Sequence, residues 1–133
     1  VENKIGQIFD SFVGRKFEQV SEEALLVLNR KKELPFIFDK ISRFWDKAKT
    51  GPVEIDRIAV NEKEKKLLIV ECKWSEKVSP KTLLNSLEDK VSRIPTFANY
   101  EVFHALFAKS FSQDLNESKT QLFDLKKLEK TFS

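Results

Sequence analysis

Two apolar runs, residues 53–60 and 67–74, stand on either side of the charged connector 61–66. Runs this short, rich in Ile, Val and Leu, have the length and composition of strands. A turn centred on Lys63 and Glu64 folds them into an antiparallel hairpin, with Asp56 opposite Glu71 and Glu54 opposite Lys73. Alternate side chains of a strand share a face. Glu71 and Lys73 therefore project with Leu67 and Ile69, and Asp56 projects with Glu54, Ile58 and Val60. Opposed Cβ atoms stand ~4.5–5.5 Å apart, so the Asp56 and Glu71 carboxylates repel unless a proton or a cation intervenes. A divalent ion with oxygen ligands meets that need, since Mg²⁺ commonly takes one or two carboxylates and keeps its waters for a phosphate substrate. The Lys73 ammonium is then placed to orient a water or to stabilise charge developing on phosphorus. A solvated ion-pair ladder, worth a few tenths of a kcal/mol, explains the same three residues. On the residues alone the two readings stand level.

The hairpin sits within an alternation of helical and extended patterns. Val13, Phe17, Val20, Ala24 and Val27 or Leu28 recur at steps of three and four, the stripe of an amphipathic helix over residues 14–29. Ile5, Ile8, Phe9 and Phe12 form an earlier helical segment. Residues 41–46 are a short strand closed by the turn KTGP. Ser79 followed by Pro80 opens a second helix, buried through Leu83, Leu84, Leu87 and Val91 and stopped by Pro95. Residues 100–110 read as a buried strand. The tail holds a short strand near Leu122 and a last helix capped by Asp124.

Composition narrows what such a chain does. Its 133 residues suit one domain with a single substantial core. The net charge of +3 permits a nucleic-acid partner without demanding one. One cysteine, Cys72, and one histidine exclude an internal disulfide and a cysteine-based zinc site, and point to a reducing cytoplasm. No run approaches the ~18 apolar residues of a membrane span. No GxxxxGK[ST] motif offers a phosphate-binding loop of the ATPase kind. The start at Val1 and the lack of any methionine read as a piece of a longer protein.

"EID" at residues 54–56 and "ECK" at residues 71–73 resemble the bipartite motif of the PD-(D/E)xK phosphodiesterase superfamily, with Glu-Ile-Asp in place of a literal Pro-Asp. The upstream "GRKFEQ" is similar to the helical segment that contributes a further glutamate in archaeal Holliday-junction resolvases, here Glu18. The longer pattern GRKFEQ…RFWD…GPVEIDRIAVNEKEKKLLIVECKW resembles the uncharacterised C-terminal domain of archaeal P-loop ATPases, over residues 14–109. The resemblance implies an α/β fold with a restriction-endonuclease-like core, a mixed central sheet flanked by helices in the order αβββαβ. It implies Asp56 and Glu71 as ligands of Mg²⁺ or Mn²⁺, with the backbone carbonyl of Cys72 adding another. Lys73 becomes the catalytic ammonium, and Glu18 holds a further water or ion.

The expectation is one nuclease-like domain over residues 1–133 that hydrolyses phosphodiesters in nucleic acid, DNA before RNA, beside an ATPase domain of its parent chain. The oligomeric state is left open, a homodimer included. A catalytically silent domain of the same fold, contacting nucleic acid or its ATPase, is the alternative. A protein-interaction module whose hairpin is only a ladder is the third reading. His104 is expected as a hydrogen-bonded core residue, and Trp45 and Trp74 as packing residues with base stacking as the rival role. The basic runs at residues 30–32 and 63–66, with Lys77 and Lys81, suit phosphate contacts or a solvated face equally.

Overall fold

The computed structural model of the chain describes the backbone of residues 2–133 and the side chains of residues 13–133. The earlier helical segment expected from Ile5, Ile8, Phe9 and Phe12 falls within α1, and their side chains lie outside the described range. The elements run α1 (Glu2–Arg30), β1 (Lys40–Ala48), β2 (Gly51–Asn61), β3 (Lys66–Lys73), α2 (Pro80–Ser92), a 3₁₀ turn (Pro95–Asn99), β4 (Glu101–Ala108), β5 (Thr120–Phe123) and α3 (Leu125–Phe132). The five strands lie in one sheet in chain order. β1, β2 and β3 pair antiparallel, whereas β3, β4 and β5 pair parallel. The fold is thus mixed α/β, a five-stranded mixed sheet flanked by helices.

The parallel β3–β4 pair requires a crossover, and α2 supplies it. β3 is the middle strand, with helices on both sides, and Leu67 through Glu71 are all buried. One core cluster, on the α1 and α3 side, joins Phe17, Ala24 and Leu25 to Leu68, Val70, Phe107 and Leu128. The other, under α2, joins Leu84 and Leu87 to Val53, Ile55, Ile58, Leu67, Ile69 and Leu106.

Local chemistry sets the element ends. Lys49 and Thr50 form a two-residue hairpin loop between Ala48 and Gly51, and Gly51 takes φ +115°, a conformation L side chains rarely adopt. The Ser79 hydroxyl accepts from the Thr82 N–H at 3.3 Å, with Pro80 in the first turn of α2. The Asp124 carboxylate accepts from the Lys127 N–H at 2.9 Å and caps α3. The α1 stripe differs from expectation at Val20, which is 38% exposed, while Ser21 is fully buried and donates to the Phe17 carbonyl at 2.8 Å. A hydroxyl that bonds the preceding turn of its own helix can be buried without an orphaned polar group.

β2 carries the one irregularity that matters for function. Ser42 pairs with Ile58 but Phe44 pairs with Ile55, so Asp56 and Arg57 together oppose the single residue Arg43. This β-bulge reverses the in–out alternation of the strand. Val53 and Ile55 consequently join Ile58 and Val60 under α2, which corrects the simple alternation that put Glu54 and Asp56 on the face of Ile58 and Val60.

Leu87 is fully buried where α2 meets the sheet. Leu87→Ala should lower stability by about 2–5 kcal/mol in urea unfolding, whereas Val20→Ala should stay within about 0.5 kcal/mol of wild type.

Candidate active site at the parting of two strands

The β2–β3 ladder runs from Asn61↔Lys66 to Arg57↔Val70, the register expected from the sequence. One step beyond, the strands part. There the Asp56 carboxylate replaces a backbone acceptor, and its Oδ2 takes the Cys72 N–H at 2.8 Å. The bulge re-aims Asp56 so that its side chain ends the ladder. The paired stretch stops short of Glu54, so the expected Glu54–Lys73 rung is not formed, and Glu54 pairs across to Trp45 of β1 instead.

Glu71 follows the buried run of β3 and is only 7% exposed. Its Oε2 accepts from Lys90 Nζ at 2.7 Å, an ion pair reaching down from α2. Burial first, then the hydrogen bond and the charge of Asp56, push the Glu71 carboxyl from its ordinary 4.5 up to about 7, against the opposing pull of Lys90. The two carboxylates of the sequence motif are therefore brought together, and the Asp56 charge favours the protonated form of Glu71. Burial also pushes the Cys72 thiol well up, so that it stays protonated. Lys73, the next charged residue of β3, is exposed at the strand end. Among the described residues it forms no ion pair.

Glu18 reaches the same neighbourhood from α1 but is engaged. Arg57, the buried partner of Asp56 in the bulge, gives Nη1 to Glu18 Oε1 at 3.1 Å and Nε to Glu22 Oε1 at 2.7 Å. Its Nη1 also donates to the Asp56 carbonyl at 2.6 Å. Partial burial and the charge of Asp56 raise the Glu18 carboxyl, and Arg57 and Arg43 oppose the rise. Glu22 is thus part of the site's support. Among the described residues no three His, Cys, Asp or Glu side chains are grouped so as to hold a metal ion.

Arg57 and Lys90 are the two functional-site residues that sequence reading missed. Lys90 carried a signal: it stands three residues after Leu87, on the apolar stripe of α2, where a cation needs a buried partner. Arg57 carried little, because its direction depends on the bulge. The other candidates lie apart. His104 is half-buried in β4 on the α2 side, and burial lowers its pKa, but its Nδ1 has no hydrogen-bond partner among the described residues. That corrects the expectation of a bonded core histidine. Trp74 packs on Phe17, with ring centroids 5.0 Å apart, and lies beneath Lys109 Nζ at 4.3 Å from its centroid. Trp45 is 54% exposed. Lys65 and Lys66 of the connector pair with Glu62 and Glu64.

Glu71 has its pKa raised on folding, so it contributes stability that is full below pH 4.5 and lost as pH rises through about 7. In chelator, Glu71→Gln should therefore gain stability over wild type as pH climbs across that window. Chemical denaturation at stepped pH checks this, and parallel curves for the two proteins would contradict it.

The sequence profile of a family described as archaeal and bacterial proteins of unknown function matches residues 1–93. An uncharacterised protein of Methanocaldococcus jannaschii is 35% identical over 119 residues, which cover 88% of this chain and 26% of that protein. The chain thus spans about a quarter of the length of this curated relative. No solved structure matches the chain. No described helix is long and apolar enough to cross a membrane.

Proposed function

We propose that this chain, which belongs to the DUF234 family of archaeal and bacterial proteins of unknown function, is a PD-(D/E)xK domain that hydrolyses phosphodiester bonds in DNA. The observation that carries the reading is the meeting of Asp56 and Glu71 where β2 and β3 part, with Lys73 next along the strand. Element order supports it too, since helix, three strands, helix and strand precede the β5–α3 addition. The C-terminal position beside an ATPase domain in the parent chain is part of the same proposal.

The residues fit a hard divalent cation. Asp56 and Glu71 offer oxygen donors, each with one oxygen already hydrogen-bonded and a second to give. Two carboxylates match what Mg²⁺ or Mn²⁺ takes from protein when the remaining positions go to water and phosphate. Glu18 would join only by leaving Arg57, and the Cys72 carbonyl belongs to the ligand set by superfamily likeness alone. Held by Asp56 and Glu71, such an ion would supply Lewis acidity toward a phosphoryl oxygen and toward an attacking water.

The chain's own groups supply the rest. The Cys72 N–H and the Lys90 ammonium hold the two carboxylates in place through one oxygen each. Lys73, exposed two residues beyond Glu71 on β3, would bring a compact positive charge suited to the negative charge that builds on the phosphoryl oxygens during displacement. In the net reaction water's oxygen bonds phosphorus and the bond to the 3′ oxygen breaks, leaving a 5′-phosphate and a 3′-hydroxyl.

A second reading draws on the engaged carboxylates. Arg57 on Glu18 and Lys90 on Glu71 already neutralise the site, which suits a catalytically silent domain that contacts nucleic acid or its ATPase. One experiment separates the two. Millimolar Mg²⁺ should raise the melting temperature of wild type and of Lys73→Ala but not of Asp56→Asn. Lys73→Ala should cut single-turnover cleavage by at least ~100-fold, with only partial rescue by Lys73→Arg. No cleavage of any duplex or branched DNA by a wild type that Mg²⁺ stabilises supports the silent domain. No response to metal in any of the three proteins leaves only the ion-pair ladder.

A further inference from the structure

Against Asp56, on the α1 side of the sheet, lies a groove of about 450 Å³, which Glu18 and Asp56 line together with residues that the reading above does not use. Its floor is the edge strand β1 with β2, and its wall is α1. Phe44 turns under α2, where its ring meets Phe97 at 5.1 Å between centroids. Its neighbours Arg43 and Trp45 therefore face the α1 side. The Trp45 indole is 54% exposed at the edge of the sheet. Arg43 and, across from it on α1, Arg15 are exposed and form no ion pair among the described residues. Glu54 lies opposite Trp45, and Asp56 closes the groove at its inner end.

An exposed flat aromatic side chain beside exposed guanidinium groups is the chemistry that binds single-stranded nucleic acid: the ring stacks on a base and the cations follow the backbone. A duplex buries its base faces in its own stack and offers nothing to Trp45. The spacing suits an unpaired strand as well. Neighbouring strands lie ~4.8 Å apart and residues rise ~3.3 Å along each, so Trp45 and Asp56 are separated by roughly 8 Å. At ~3.4 Å per nucleotide in a stacked strand, and more in an unstacked one, that is about one to two nucleotides.

Accordingly, we propose that this groove binds an unpaired segment of a nucleic-acid strand, with Trp45 stacked on a base and Arg15 and Arg43 on its phosphates, so that the phosphate about one to two nucleotides away is delivered to Asp56 and Glu71. The inference rests on the phosphodiesterase reading of that pair and adds a substrate class: overhangs and single-stranded flaps in place of flush duplex. Glu54 and Glu18 oppose the phosphates and set a limit on affinity, so removing the Glu54 charge strengthens binding.

The test uses the full chain with three labelled DNA probes: a short single strand, a blunt duplex, and the same duplex with an overhang. Wild type should prefer the single strand and the overhang. Trp45→Ala should weaken those two about 10-fold and change the blunt duplex less than 2-fold, with Trp45→Phe restoring most of the loss. Glu54→Gln should tighten the same two probes, and Arg43→Ala should lower the salt slope by about 0.7. In a Trp74→Phe background the remaining indole fluorescence reports Trp45 alone, and single strand should quench it. Equal binding of all probes by wild type and Trp45→Ala, together with cleavage that depends on Asp56, overturns the groove and spares the phosphodiesterase. A folded wild type that binds none of the probes and cleaves no DNA overturns both.

Discussion

A carboxylate at the end of a strand covered on both faces has to be neutralised. From Leu67 to Glu71 every residue of β3 is buried, and the only charged one is the last. Leaving an isolated carboxylate there would cost several kcal/mol. The surroundings are arranged against that cost. Lys90 reaches it from the crossover helix, Asp56 approaches from the neighbouring strand, and the carboxyl itself holds a proton up to about pH 7. The α2 crossover therefore has two roles, burying Leu84 and Leu87 and delivering an ammonium to Glu71.

The bulge in β2 is the second half of the same arrangement. An uninterrupted strand would have continued its ladder past Arg57. With Asp56 and Arg57 set together against Arg43, the aspartate takes the Cys72 N–H in place of a main-chain carbonyl. Its neighbour turns beneath α1, where one guanidinium satisfies Glu18, Glu22 and the Asp56 carbonyl. Planar, fixed donors make arginine the suitable cation for three acceptors at once. The long first helix is thereby tied to the residue that shapes the site, so that displacement of α1 would disturb Asp56 without touching it.

Much of this was legible in the sequence, and the remainder was hidden for identifiable reasons. Short apolar runs with one charged connector set the β2–β3 register, because a slip of one residue would turn Leu68 and Val70 out of their core. Ser79–Pro80 and Asp124 marked helix starts because capping is local chemistry. The bulge was not legible, since it is a property of the pairing with β1 and leaves no glycine or proline at Asp56–Arg57 to announce it. The faces of Glu54 and Asp56 were misread for that reason, and Arg57 passed unnoticed with them. Val20 failed for a different reason: spacing alone gives the stripe but not its centre line, and the helix is rotated so that Ser21 lies inward.

The counter-ions also bear on which function the site can have. The buried Arg57 holds Glu18 through Nη1 and Glu22 through Nε, and withdrawing Glu18 would strip one of two carboxylates from a guanidinium in a low-dielectric position. Lys90 is different, because its stem ends in a compact ammonium that is itself partly exposed and can swing back to water at little cost. A cation arriving at Asp56 and Glu71 would thus displace a proton and loosen one lysine, and need not dismantle the core. The two-carboxylate version of the proposed site is the one the packing tolerates, whereas recruiting Glu18 would require α1 to give up its tie to the bulge.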